Sequence, residues 1–118
     1  MRVYLGGFAN WGEVVDNFTP DDTTTTVPDE PKHVFALYHQ ESYEGSAVVI
    51  YKSEDKYFFV HGEHCSCNGL EELWEPSEET PETLRHVLTK GDGYYAVHED
   101  DHPEFQAMAL VWLTATLR

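Results

Sequence analysis

HVFALYHQESYEGSAVVIYKSEDKYFFV, residues 33–60, decides the fold. Three apolar runs sit in it: His33 to His39, Ser46 to Tyr51, and Tyr57 to Val60. Each is rich in β-branched and aromatic residues and short enough to be a strand. Gly45 lies in the first connection, and Ser53-Glu54-Asp55-Lys56 forms the second. Strands joined by turns this short pair antiparallel. The runs are apolar at nearly every position rather than at alternate ones. That pattern predicts at least one strand covered on both faces.

Beyond this meander the period changes. Thr80-Pro81-Glu82 is a helix start, with a capping hydroxyl, proline at the first helical position and an acid in the first turn. Leu84, Val87 and Leu88 make its apolar stripe, and Lys90-Gly91 ends it. Tyr94 to Val97 reads as a short strand. A second helix is expected from about Pro103 to Leu117, with Phe105, Met108, Ala109 and Trp112 on one side and Leu110, Leu113 and Leu117 on another. A helix apolar over so much of its circumference is buried or meets another subunit, and a homodimer through it is expected.

Before the meander, Val3 to Leu5 reads as a strand broken by Gly6-Gly7. Trp11, Val14, Val15 and Phe18 have helical spacing behind an Asn10 cap. Residues 19–32, TPDDTTTTVPDEPK, read as a flexible acidic loop within a single domain spanning 1–118. The expected fold is therefore α+β: an antiparallel sheet of three to five strands with two helices packed on one side.

Charge bounds what such a domain meets. The chain has 22 acidic side chains against 7 Lys and Arg, a net charge of −15, yet 41% of its residues are hydrophobic. That is enough apolar material for a core, so the acidity belongs to a folded surface. Its field repels nucleic acid and anionic membrane and attracts cationic protein. No apolar run reaches the ~18 residues of a membrane span, and the first residues lack the pattern of a secretory leader. A cytoplasmic location is expected.

The densest group of chemically able side chains follows the third strand: His61, His64, Cys65 and Cys67, with Glu63 among them. Thiolate and imidazole are zinc ligands, so these four define the alternative of a small zinc-binding domain. The C-x-C spacing is tighter than the usual C-x₂₋₄-C knuckle, and it is not the C-x-x-C of redox centres. The leading reading of the same cysteines is as small buried apolar residues on one side of the chain. No cofactor is called for, and no pair of carboxylates is singled out for acid–base work. The chain reads as a non-enzyme.

The run HGEHCSCNGLEELWEP resembles a group of small uncharacterised proteins of bacteriophages and prophages. The residues that carry the resemblance are His64, Cys65, Ser66, Cys67, Gly69, Leu70, Glu71, Trp74 and Pro76, and it covers roughly residues 43–90. Members often carry an aromatic residue where this chain has Asn68. The resemblance implies a viral origin and the cytoplasm of a host cell. It implies no activity.

Around that core the acids concentrate. Glu71, Glu72, Glu75, Glu78, Glu79 and Glu82 fall within twelve residues that contain no Lys or Arg, with Trp74 among them. Charge spaced this densely imitates part of the charge density of duplex DNA, one per ~1.7 Å of axis. An exposed Trp in its midst is expected to act as an apolar anchor of the hot-spot kind. These seven residues are the candidate partner-binding set, and a basic host protein is the expected partner. A solvated face without a target is the plainer account of the same acids. A virion assembly role, through the last helix, is a third.

Overall fold

The computed structural model describes residues 1–19, 27–41, 44–64, 74–90 and 103–117. Its elements run β1 (Arg2–Gly6), α1 (Trp11–Phe18), β2 (His33–Glu41), β3 (Glu44–Ser53), β4 (Lys56–His64), β5 (Ser77–Glu79), α2 (Pro81–Lys90) and α3 (Pro103–Thr116). The five strands form one sheet in chain order. The meander is as expected: β2, β3 and β4 pair antiparallel, and β5 adds to β4 through Tyr57↔Glu79, Phe58↔Glu78 and Phe59↔Ser77.

The sheet is mixed rather than purely antiparallel. β1 runs parallel to β2, from Arg2↔Val34 to Gly6↔Tyr38. Parallel neighbours need a crossover, and α1 with the segment after it provides one. Gly6 ends β1 with a φ of +64°, and a Cβ there would stand 2.1 Å from the Tyr38 carbonyl oxygen. The Gly7 amide donates to that oxygen at 2.8 Å. Only a residue without a side chain lets the two strands approach so closely while the chain turns away.

The crossover puts α1 on the opposite face of the sheet from α2 and α3, so helices cover both sides rather than one. On the α1 face, Phe8, Trp11, Val14, Phe18 and Trp74 pack on Val34, Ala36, Tyr38, Ala47, Val49, Tyr51 and Val60. The bulky side chains come from outside the sheet and lie over its small Ala36 and Ala47. On the other face, Leu84, Leu88, Ala109, Trp112 and Leu113 pack on Phe35, Leu37, Val48, Ile50, Tyr57 and Phe59. Residues 34–38 and 47–51 are therefore buried at every position, which accounts for their unbroken apolar runs.

The helix ends follow their sequence signals. Asn10 Oδ1 accepts from the Glu13 amide at 2.9 Å, and Thr80 Oγ1 accepts from the Thr83 amide at 3.1 Å. At the far end of α3, Lys52 Nζ donates to the Thr116 carbonyl at 2.6 Å, where the helix dipole is negative. Tyr57 and Thr116 share a buried hydroxyl–hydroxyl bond of 2.9 Å.

Of the 19–32 loop, residues 20–26 lie outside the described residues, as does the strand expected at 94–97. The described remainder is tied down. Trp11 Nε1 donates to the Pro28 carbonyl, Arg2 Nε to the Pro31 carbonyl, and the Tyr4 hydroxyl to Glu30. Burial and then the Glu30 carboxylate push the Tyr4 hydroxyl well above its ordinary pKa. Among the described residues no helix is long and apolar enough to cross a membrane.

Candidate functional site

The sheet brings two groups of acids to one corner. β5 aligns antiparallel with the start of β4, so Glu78 and Glu79 lie beside Phe58 and Tyr57. The β3–β4 turn, Glu54-Asp55, is one position beyond the Ser53↔Lys56 pair. α2 begins immediately after β5 and adds Glu82 at the same end. Glu54, Asp55, Glu75, Glu78 and Glu82 are exposed, and Glu79 is partly so. Lys56 reaches into this set, its Nζ 3.4 Å from Glu78 Oε1, with both side chains more than half exposed. A pair this wet contributes little stability.

The turn itself is unusual. Glu54 and Asp55 have φ of 52° and 66°. Positive φ at both central residues is the signature of a type I′ turn, which favours Asn-Gly. Glutamate at such a position is costly, since an ordinary L side chain crowds its own backbone there by about 1–2 kcal/mol. Sequence reasoning located this turn but did not count its two acids as part of the site. The run of glutamates at 71–82 drew attention, whereas Glu54 and Asp55 join it only through strand pairing.

At the opposite flank of the same sheet end the cations collect. Arg2 lies 3.4 Å from Glu30, and Lys52 faces His33 across the β2–β3 ladder. Partial burial, then the N-terminal ammonium, Lys32, Lys52 and Arg2, lower the His33 pKa from its usual value. Glu30 offsets part of the positive charge on this flank, as Lys56 offsets part of the negative charge beside β5.

Trp74 does not stand out as an exposed anchor. It is 7% exposed and belongs to the core. Its ring stacks on Tyr51 at 6.0 Å and meets Phe18 and Trp11 edge-on at 5.2 and 6.2 Å. A large apolar ring gains more from this aromatic nest than from standing in water among glutamates. Its Nε1 is buried with no hydrogen-bond acceptor among the described residues.

Glu71, Glu72, Cys65 and Cys67 lie outside the described residues. His61 is exposed, with its ring 5.9 Å from that of Phe59. His64 is the last residue of β4, and its backbone pairs with Gly45. No cluster of three or more His, Cys, Asp or Glu able to hold a metal occurs among the described residues. No protein-family model matches the chain, and no curated protein or solved structure matches it.

Proposed function

We propose that this is a phage-encoded acidic binding protein, not an enzyme, that inhibits or redirects a host protein through a basic surface. The kind of surface it fits is one built for nucleic acid, so that partial mimicry of DNA charge is the basis of recognition. The observation that carries the reading is the Glu54-Asp55 turn. Two carboxylates are kept where Asn-Gly is the stable choice, at the corner where Glu78, Glu79 and Glu82 also lie. A locally unfavourable residue retained among like charges points to a use for the charge. The net charge of −15 and the H-C-S-C run that resembles phage proteins support the same reading.

The mechanism is steric and electrostatic occlusion. Long-range attraction raises the encounter rate, and the rigid strand and helix ends fix the spacing of the carboxylates. Buried Trp74, three residues ahead of β5, anchors the segment that leads into it to Tyr51 and Phe18. Capture of partners from the natural host tests the reading. Basic proteins are retained at low salt and released at high salt. Replacing Glu75, Glu78, Glu79 and Glu82 with Lys weakens capture by about tenfold or more. Equal capture by the reversed and native proteins overturns the proposal.

A further inference from the structure

We propose that the outer edge of β5 takes an extended basic segment of the partner as a further strand, with two consecutive Lys or Arg residues set against Glu78 and Glu79. The inference rests on the acidic-capture reading above and adds to it the form of the bound segment.

β5 is the last strand in the sheet order and pairs with β4 on one side only. Ser77 and Glu78 are exposed, and Glu79 is partly so. Among the described residues no backbone hydrogen bond reaches β5 from outside the sheet. In an antiparallel ladder alternate N–H and C=O groups turn away from the existing partner, so the edge offers donors and acceptors to an incoming chain. Pro76 and Pro81 bracket this edge. Neither has an N–H to give, so the docking stretch is confined to the residues between them. Backbone bonds over so short a stretch fix register and direction, and charge supplies most of the attraction.

The register decides where that charge stands. Directly opposed residues of a ladder share a face. Phe58, opposite Glu78, packs on the α1 face, whereas Tyr57, opposite Glu79, packs on the face of α2 and α3. The edge therefore carries a carboxylate on each face of the sheet. Between Tyr57 and Leu84 the chain has no Lys or Arg. Lys56 reaches Glu78 at 3.4 Å, and among the described residues no cation pairs with Glu79.

Charge complementarity identifies the occupant. A second copy brings the same two glutamates to the edge and is repelled, which is how charge guards an edge strand against its own kind. A basic segment is attracted on both faces at once. Side chains alternate along a strand, so matching both faces takes neighbouring residues, one for each. The preferred segment is therefore dibasic, rather than basic at every second position. Its base on the α1 side displaces Lys56, whose pair with Glu78 is more than half exposed and yields readily.

Solution NMR of the isotope-labelled full chain, with the synthetic peptide Thr-Val-Thr-Lys-Arg-Thr-Val-Thr as probe, provides the test. At about 0.05 M salt, where the Debye length is roughly 14 Å, the peptide binds and slows hydrogen exchange of the outward amides within residues 77–79. Two further peptides are N-methylated, one at Lys and one at Arg, and keep the same charge. Neighbouring amides of a strand point to opposite edges, so one of these peptides binds about tenfold more weakly and the other binds as the unmodified peptide does. Moving the bases apart by one residue weakens binding several-fold at equal charge. Lys56→Gln frees Glu78 and tightens binding several-fold. Equal binding by the two methylated peptides, lost at about 0.5 M salt, overturns strand addition and leaves acidic capture standing. Absence of binding by any of the peptides overturns strand addition as well, and acidic capture is then decided by the host proteins. Protection of the same amides in the concentrated chain without peptide means that a second copy fills the edge, and also overturns the inference.

Discussion

Replacing Glu54-Asp55 with Asn-Gly tests whether the β3–β4 turn holds its acids at a structural cost. Both residues have positive φ, 52° and 66°. Returning Glu54 to a residue tolerant of that region recovers about 1–2 kcal/mol. Asp55 already belongs to the more tolerant group, so its replacement gains less. Glycine also adds freedom to the unfolded chain, offsetting up to about 1 kcal/mol. The expected net gain is about 1 kcal/mol. For 118 residues, an unfolding entropy of about 2.1 cal/mol/K per residue converts this into a Tm rise of roughly 4 °C. The substitution also removes two charges, taking the net from −15 to −13, and relief of repulsion alone raises stability. Glu54→Gln with Asp55→Ser removes the same charges without supplying turn residues, so the difference between the two variants isolates backbone conformation. Thermal melts and urea titrations at about 0.5 M salt suppress the remaining electrostatics. An Asn-Gly protein that melts no higher than the Gln-Ser protein would refute the reasoning. The cost ascribed to the turn, and the functional inference drawn from it, would go with it.

Four further outcomes are expected. Gly6→Ala loses about 2–3 kcal/mol by equilibrium unfolding, from its left-handed conformation and from strain on the Gly7–Tyr38 bond; a loss within error of zero would mean that β1 does not dock on β2 as described. Trp74→Ala loses about 3–5 kcal/mol, as for a ring removed from a core, whereas a surface anchor would be lost at almost no cost in urea midpoint. Tyr57→Phe removes the bond to Thr116 and loses about 1 kcal/mol in the same assay; an unchanged midpoint speaks against it. His33 has a folded pKa below its unfolded one, so the unfolded chain takes up the proton first. Its contribution is full above about pH 6.5 and is lost as pH falls through the lowered value. The urea midpoint of His33→Gln therefore declines less steeply between about pH 7 and 5 than that of the native protein, and parallel declines would contradict the account.

What could be read from the sequence divides along the range of the interactions involved. Asn10 and Thr80 cap helices through bonds made three residues away, so their signals are local and the structure repeats them. The β2–β3–β4 meander is also local, because its connections are short and its register follows from the turns. β1 is different. Three mixed residues bounded by Gly6-Gly7 say nothing of direction, and its parallel pairing depends on where α1 and the loop after it return the chain. β5 is Ser-Glu-Glu, a strand made by backbone bonds to Tyr57, Phe58 and Phe59 with no apolar pattern to announce it. α3 was expected to be buried or at an interface because it is apolar all round. The structure divides that circumference into a buried side and an exposed side.

The candidate site shows the same division more sharply. Trp74 among glutamates reads as exposed because its neighbours are, yet in a chain segment leading into an edge strand neighbouring side chains point to opposite sides. Trp74 turns inwards onto Tyr51 and Phe18 while its neighbour Glu75 faces water. Trp74 lies three residues ahead of β5, so the buried ring and the acidic edge strand are not independent. Removing the ring loosens β5 and the placement of Glu78 and Glu79 with it. Trp74→Ala should therefore weaken capture of a basic partner without touching that partner, in proportion to the stability lost. Trp74→Phe keeps an aromatic ring in the nest and leaves no buried Nε1 without an acceptor, so capture by that variant should stay near native. Capture lost equally in a stably folded Phe variant would mean that the indole itself meets the partner, and that the acidic corner opens further than its packing shows.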